Sequence, residues 1–234
     1  MTREADDRAV SCLMPTFARH DRLPRAVAMF LAQRGAEAEL VIVSEDGLPD
    51  ALLDRVPAHV VRHVPCAAGL SLGAKRNLAG EAARGRILVH WDDDDLHAGD
   101  RLSRQVRVFA NDRIQIAGSS IVHFRDEDSG RCWEYRYGAN DHALPWVCGA
   151  TLAYRRDYWR RHPFEEVTVG EDNLFVWSAN HAEVHDMRDP GLCLCAIHAG
   201  NTSPKNTADA WWRPIAPPPL WHGGGTHGAG AGAL

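Results

Sequence analysis

The sequence lacks any long apolar segment. No run approaches the ~18 consecutive apolar residues that a membrane-spanning helix needs. Residues 1–10 are mostly charged and small, without the apolar stretch of a signal peptide. We therefore expect a cytoplasmic protein without a transmembrane segment, with peripheral attachment to the inner membrane face left open.

The sequence is also poor in positive charge and in cysteine. A net charge of −5 provides no basic surface of the kind that binds nucleic acid. Six cysteines in 234 residues are too few for a disulfide scaffold, so we expect free thiols. Cys193 and Cys195 form a lone C-x-C, for which buried strand thiols are the favoured interpretation and a metal role is the alternative. No P-loop is present, which argues against an ATPase of that class.

The most informative stretch is a short apolar run, Ile87–Val89, followed closely by four consecutive carboxylates, Asp92–Asp95. Adjacent carboxylates repel one another by ~1 kcal/mol per pair at ~4 Å in water. A hard divalent cation, shared between alternate carboxylates and a substrate phosphate, would remove that repulsion. An EF-hand does not fit, because Leu96 and His97 stand where that loop needs an oxygen ligand and then glycine. We predict a metal–diphosphate site at the end of a strand, with a solvated acidic loop as the alternative.

Strands and helices alternate through the first ~95 residues. Apolar patterns predict strands at 10–14, 39–43, 59–64 and 87–89, with a helix between each pair. Ser71 is placed to cap the helix at 72–84 and Gly85 to end it. This alternation predicts an α/β fold with a doubly wound, mostly parallel sheet flanked by helices, in which ligands bind beyond the carboxyl ends of the strands. Polar residues follow three of these strands: Thr16 and Arg19, Glu45 and Asp46, and Asp92–Asp95.

The second half of the chain has a different pattern. After a helix at about 99–110, residues 114–124 and 131–137 predict a hairpin, and 146–154 a further strand. A helix opens at 169–172, and late strands follow at 184–187 and 192–197. We expect these segments to add a small antiparallel β extension. From residue 206 tryptophan and proline dominate, followed by glycine and alanine. We therefore divide the chain into a domain, 1–205, and a C-terminal segment, 206–234, which is partly disordered or whose tryptophans fold back over the domain.

In order and spacing, these segments resemble the family 2 glycosyltransferases, which have the GT-A fold and are mostly inverting. The resemblance covers roughly residues 10–201. It rests on six short segments, at 14–19, 43–47, 73–77, 91–95, 149–151 and 170–172. It implies transfer of a sugar from a nucleoside diphosphate sugar to an acceptor hydroxyl, with Mn²⁺ or Mg²⁺ on the diphosphate.

The resemblance also implies a role for individual residues. Asp94 is the last carboxylate of a D-x-D motif and binds the cation, with His198 as a further ligand. Asp172 matches the catalytic base, and Glu171 is paired with it. Residues implied to bind the donor nucleotide are Thr16, Arg19, Glu45, Asp46, Lys75, Arg76, Asp92 and Asp93. Residues implied to contact the donor or acceptor sugar are Trp146, Gly149 and Ala150.

Several of these residues have purely structural alternatives. Glu171 and Asp172 lie in the first turn of a predicted helix, where carboxylates interact favourably with the helix dipole. His198 is one of 13 scattered histidines. Trp133 and Trp146 are large aromatics, which usually belong to a core but can also stack on sugars.

The predicted function is metal-dependent, inverting transfer from a nucleoside diphosphate sugar, with a UDP-sugar favoured, to a hydroxyl of a glycan, a lipid-linked saccharide or a small molecule. A cation would stabilise the departing diphosphate, and a separate carboxylate would take the proton of the acceptor. One alternative is a non-catalytic sugar-nucleotide-binding relative, against which the presence of Asp92, Asp94 and Asp172 counts. Another is a nucleotidyltransferase, which would carry a glycine-rich loop that residues 14–20 lack. A D-x-D phosphatase fits poorly, because Leu96 follows the acidic run.

Overall fold

Four parallel strands from the first half of the chain form the core of the fold. The computed structural model describes residues 10–54, 56–137 and 144–218. The four strands are β1 (Val10–Thr16), β2 (Ala38–Ser44), β3 (Val61–Pro65) and β4 (Ile87–His90). The predicted strands are therefore confirmed. β1 lies between β2 and β4, so Thr16 ends beside the start of the acidic run.

Eight further strands of the described residues complete two sheets: β5 (Leu96–His97), β6 (Ile116–Gly118), β7 (Ile121–Asp126), β8 (Cys132–Arg136), β9 (Ala153–Arg155), β10 (Val184–Asp186), β11 (Cys193–Ile197) and β12 (Trp212–Ile215). Within the described ranges, the main sheet has seven strands in the order β10-β6-β9-β4-β1-β2-β3. Of these, β9 runs antiparallel to β4 and β6. The second sheet has five strands in the order β12-β8-β7-β11-β5, and includes the predicted β7–β8 hairpin. It is mixed and not wholly antiparallel as expected, because β11 runs parallel to β7.

Helices cover both faces of the main sheet: α1 (Leu23–Leu31), α2 (Asp50–Leu53), α3 (Leu72–Ala82), α4 (Arg101–Val108), α5 (Arg156–Arg161) and α6 (Glu171–Trp177). Successive residues of a strand point to opposite faces. Met14 of β1 accordingly packs with Phe30 of α1, whereas Leu13 packs with Trp159 of α5. The doubly wound α/β prediction is confirmed. None of the helices in the described residues has the length and apolar character needed to cross a membrane.

The start of α3 is set by the predicted residue, whereas its end is at Ala82, with an extended C-cap at Ala83, and not at the predicted Gly85. Ser71 is its N-cap, and the Ser71 hydroxyl accepts the Ala74 N–H at 3.2 Å. Gly85 follows the end of the helix and lies against β1. A Cβ at Gly85 would be 2.4 Å from the Ser11 nitrogen. Glycine is needed here because the backbone passes so close to the central strand.

The prediction of one continuous strand at 114–124 is wrong. This segment forms two strands, β6 and β7, which belong to different sheets. The chain turns at Ser119 and Ser120 between β6 and β7. The Ser119 N–H donates to the Thr151 hydroxyl at 2.8 Å, and the Ser120 hydroxyl donates to Asp186 at 2.6 Å. These distant partners hold the turn, so a local apolar pattern could not predict it.

The predicted strand at 146–154 is also wrong, except at its end in β9. Residues Gly149–Thr151 form a 3₁₀ turn instead. Arg101 donates to the Ala150 carbonyl at 2.8 Å, and Gln105 donates to the Thr151 carbonyl at 2.6 Å. Because side chains of α4 bind these carbonyls, the segment does not pair as a strand.

The tryptophan-rich segment folds back onto the domain in part. Trp212–Ile215 forms β12, which pairs antiparallel with β8. This agrees with the fold-back alternative for the segment. The glycine- and alanine-rich end, predicted to be disordered, lies outside the described residues.

Arg101 is a fully buried arginine that joins α4 to the end of β4. Besides the Ala150 carbonyl, it donates to the His90 carbonyl at 2.9 Å, and its Nη1 lies 2.6 Å from Nδ1 of His97. A buried carbonyl that loses its donor costs about 1–3 kcal/mol. Arg101 therefore fixes both the strand end and the 3₁₀ turn.

We expect Arg101→Met, which keeps the side chain long and apolar, to lower the free energy of unfolding by about 3 kcal/mol or more, because two buried carbonyls lose their donor. Equilibrium denaturant unfolding measures this. The matched control is Arg107→Met, an exposed arginine of the same helix, which should stay within about 0.5 kcal/mol. Equal stabilities of the two variants would contradict the role given to Arg101.

Candidate active site

The acidic run turns into the protein at the carboxyl edge of the main sheet. Asp93, Asp94 and Asp95 are only 1%, 9% and 4% exposed, so the alternative of a solvated loop is wrong. The Thr16 hydroxyl, at the end of β1, donates to Asp93 at 2.5 Å. Burial, followed by the charge of Asp94, raises the pKa of Asp95 well above its usual range.

Arg19 supplies positive charge to two of these carboxylates. Its Nη1 lies 2.8 Å from an oxygen of Asp93 and 2.8 Å from Oδ2 of Asp94. Its Nη2 donates to the carbonyl of Gly200 at 2.6 Å. One side chain thus connects the loop after β1, the acidic run and the loop after β11.

The chemistry of a divalent cation site is present at Asp94. Nε2 of His198 lies 3.0 Å from the same Oδ2 of Asp94 that Arg19 contacts. A carboxylate oxygen with an imidazole nitrogen suits Mn²⁺ well, and a carboxylate beside phosphate oxygens suits Mg²⁺. The two residues predicted to bind metal therefore lie together and fit such an ion.

A cavity of about 680 Å³ adjoins these residues and is lined by Thr16, Arg19, Glu45, Lys75 and His198, among others. Glu45 accepts from Lys75 at 2.7 Å and from the Gly69 N–H at 2.7 Å. The hydrogen bond from Lys75 is the main cause that lowers the pKa of Glu45. Phe17, 55% exposed, also lines this cavity. Its aromatic face is available to a planar ligand.

Asp46 was also predicted to bind the donor nucleotide. It does not line this cavity or the second cavity described below. Its carboxylate accepts the Ala18 N–H at 2.8 Å and lies 3.2 Å from Nε2 of His20. Ala18 has a positive φ of 52°. Asp46 therefore stabilises the unusual turn after β1, a structural role that the sequence did not suggest.

A second cavity, of about 710 Å³, is lined by Arg76, Asp92–Asp94, Trp146, Gly149, Ala150, Glu171 and Asp172, among others. Arg19 lines both cavities, so the two are contiguous. Buried Arg76 lies 3.7 Å from Asp92 and 3.2 Å from Glu171. Its Nη1 is a buried donor without a hydrogen-bond partner in the described part of the chain. Such a donor in a cavity wall is suited to an oxygen of a ligand.

Glu171 and Asp172 differ in their surroundings. Burial raises the pKa of Glu171, and the charge of Arg76 opposes that rise. Asp172 instead packs against Gly149, where a Cβ would lie 2.1 Å from Oδ2 of Asp172. Glycine at 149 therefore makes room for this carboxylate. His90, at the end of β4, also contacts the 3₁₀ turn, because its Nδ1 lies 2.9 Å from the Gly149 carbonyl oxygen.

The two candidate sugar-contacting tryptophans have different positions. Trp146 lines the second cavity, stacks on Tyr137 at 4.3 Å between ring centroids, and donates to Asn173 at 2.8 Å. Trp133, in the second sheet, is buried with the guanidinium of Arg131 over its ring. Its position agrees with the alternative interpretation, a core residue.

The predicted site residues other than Asp46 thus line the two cavities, and Asp46 contacts Ala18, which lines the smaller one. Sequence analysis overlooked the buried residues behind the site, His90, His97, Arg101 and Gln105, and the exposed Phe17. His90 could have been found from the sequence, because it directly follows an apolar run that predicts a strand. Arg101 lies in a helix, and no sequence pattern indicated that it would be buried behind the site.

Comparison with known structures supports the fold. TarS from S. aureus, in complex with UDP-GlcNAc, aligns with a TM-score of 0.62 at 15% identity, over 82% of this chain and 60% of that one. The mannosyltransferase PcManGT from Pyrobaculum calidifontis, in complex with GDP-Man and Mn²⁺, aligns with a TM-score of 0.62 at 17% identity, over 84% and 59%. The fold of this chain, with its mainly parallel central sheet, is that of the GT-A class.

Sequence comparison gives the family. The model of glycosyl transferase family 2 matches residues 11–170, more than half of the chain, so the chain belongs to this family. ExoO, a succinoglycan biosynthesis protein of Rhizobium meliloti (strain 1021), is 35% identical over 105 residues, which is 44% of this chain and 28% of ExoO. The chain therefore spans less than a third of this relative and about three-fifths of the two structural neighbours.

His90 should make stability depend on pH. Burial lowers its pKa well below the ordinary value of about 6.5. The unfolded chain then takes up a proton at a pH where the folded chain does not, so stability falls as pH drops below about 6.5. We expect His90→Gln to reduce the slope of the free energy of unfolding against pH, in this range, by up to about 1.4 kcal/mol per pH unit.

Denaturant unfolding at several values between about pH 7 and pH 5 measures the slope. The matched control is His185→Gln, which alters an exposed histidine of β10 and should keep the wild-type slope. An unchanged slope in His90→Gln would show that His90 is not held neutral by the fold.

Proposed function

We propose that this chain is a metal-dependent, inverting glycosyltransferase that moves a sugar from a nucleoside diphosphate sugar to an acceptor hydroxyl. The observation that carries the proposal is the convergence of Asp94, His198 and Asp172, from distant parts of the chain, on two contiguous cavities. Membership of glycosyl transferase family 2 supports the same reaction.

The smaller cavity suits the nucleoside of the donor. Glu45 and Lys75 form its polar wall, and Phe17 offers a flat apolar face. TarS is described with UDP-GlcNAc and PcManGT with GDP-Man, so these neighbours do not choose between the bases. We favour a UDP-sugar because of the family resemblance.

The diphosphate would lie between the two cavities, near Asp94. Asp94 and His198 would hold Mn²⁺ or Mg²⁺, which as a Lewis acid stabilises the charge that develops on a departing diphosphate. Arg19 lies against the same carboxylate, and Nη1 of Arg76 is a buried donor without a hydrogen-bond partner among the described residues. Both guanidinium groups can bind phosphate oxygens through charge-assisted hydrogen bonds.

Asp172 is the proposed general base. A single displacement needs a carboxylate on the side of the sugar opposite the diphosphate, where it can take the proton of the acceptor hydroxyl. Asp172 lies in the larger cavity, and its neighbour Gly149 lets the reacting groups approach the backbone. Glu171, bound to Arg76, is a positioning residue in this arrangement. Trp146, Gly149 and Ala150 would contact the sugars.

The acceptor is proposed to be a hydroxyl of a glycan, a lipid-linked saccharide or a small molecule, with no nucleic acid partner. We propose that the reaction takes place in the cytoplasm, either in solution or at the inner membrane face. The rival function is binding of sugar nucleotides without turnover.

We expect Asp172→Asn to lower the rate of donor hydrolysis by at least about 10²-fold, because a positioned base contributes that much or more. Donor affinity should change little, since the substitution keeps the shape of a group that does not hold the diphosphate. The assay measures release of nucleoside diphosphate from a panel of nucleotide sugars in Mn²⁺, with binding measured by calorimetry.

The matched control is Asp157→Asn, an exposed carboxylate of α5, which should match wild type. Near-normal turnover in Asp172→Asn would remove Asp172 from the base role. A wild-type protein that binds a nucleotide sugar without hydrolysing it would support the binding rival instead.

A further inference from the structure

Three buried side chains outside the proposed reaction converge behind the acidic run. Cys193 and Cys195 lie on the same face of β11, since alternate residues of a strand point the same way. Their sulfurs are 3.5 Å apart. A carboxylate oxygen of Asp95 and the two sulfurs all lie within 4.8 Å of one another. We propose that Asp95, Cys193 and Cys195 form a second cation site, for a thiophilic divalent ion of the zinc class.

The spacing of the three ligand atoms fits such an ion. Zinc binds cysteine sulfur at about 2.3 Å and carboxylate oxygen at about 2.0–2.2 Å, with tetrahedral geometry. Two sulfurs on a tetrahedral zinc are therefore about 3.8 Å apart. The observed separation is close to this, so β11 need not move to bind the ion. Two thiolates favour zinc over Mg²⁺ or Mn²⁺, which prefer oxygen ligands.

The charge distribution along the acidic run points to the same place. Asp92 lies near Arg76, and Asp93 and Asp94 contact Arg19. Asp95 has no arginine or lysine within ion-pair distance among the described residues, and its carboxylate accepts the Ala196 N–H at 2.9 Å. A buried carboxylate is stabilised by a cation. Asp95 is thus the one member of the run whose counter-charge the described chain does not supply.

An ion can reach the cluster from the larger cavity. Asp95, Cys195 and Cys148 all line that cavity. The thiol of Cys148 lies near that of Cys195, but it is not one of the three ligand atoms that lie within 4.8 Å of one another. Cys148 directly precedes the 3₁₀ turn at Gly149–Thr151. An ion held by Asp95, Cys193 and Cys195 would tie the acidic run to β11.

The test is a titration of the reduced, metal-free full chain with Cd²⁺, used as a spectroscopic probe for zinc. Cadmium–thiolate bonds give a charge-transfer absorbance in the ultraviolet that carboxylate and imidazole ligands cannot give. The signal therefore separates this site from one at Asp94 and His198. We expect it to saturate at one Cd²⁺ per chain and to be displaced by Zn²⁺. It should be lost in Cys193→Ser and in Cys195→Ser, and retained in the matched control Cys66→Ser.

A second measurement needs no variant. Alkylation of the wild-type chain in mild denaturant, mapped by mass spectrometry, should show Zn²⁺ slowing modification of Cys193 and Cys195 but not of Cys66. Absence of the cadmium–thiolate band in the folded wild type would overturn the proposal. So would a band that survives in both cysteine variants, or equal alkylation with and without Zn²⁺.

Discussion

Four carboxylates at the end of a buried strand cannot lie side by side without positive charge, and much of the fold around them meets that requirement. Arg19 reaches back from the loop after β1, and Arg76 comes from α3. His198, in the loop after β11, adds a ring nitrogen 3.0 Å from a carboxylate oxygen of Asp94. Each of these residues joins a different element to the acidic run. The acidic run and the residues that contact it therefore also hold the two sheets together at one edge.

A buried polar network determines where the second carboxylate of the proposed reaction lies. Arg101 binds the carbonyls of His90 and Ala150, and His90 binds that of Gly149. These contacts fix a tight turn against which Asp172 packs. The position of Asp172 relative to the acidic run thus depends on His90 and Arg101, which line neither of the two cavities. Polar groups buried in this way stabilise the fold only when they are all paired.

Local patterns predicted the first half of the chain because its strands are apolar on both faces and end in polar residues. Thr16, at the end of β1, and Asp93, in the loop after the neighbouring parallel strand β4, had to meet at one edge. The same reasoning failed where distant residues decide the backbone. The chain turns at Ser119 because its N–H donates to the Thr151 hydroxyl. The segment after Cys148 forms a 3₁₀ turn because side chains of α4 bind its carbonyls. The contact of Asp46 with the Ala18 N–H has no local signal either, whereas its assignment to the donor rests on the family resemblance and stays a prediction.

The central claim is that a cation bound at Asp94 holds the donor diphosphate. Electron paramagnetic resonance of Mn²⁺, titrated with the chain and UDP, tests it most directly. The account predicts that Mn²⁺ and UDP each strengthen the binding of the other. It also predicts that Asp94→Asn loses this coupling, while Asp100→Asn, a more exposed carboxylate nearby in sequence, keeps it. Coupling of wild-type strength in Asp94→Asn, or none in the wild type, would contradict the account.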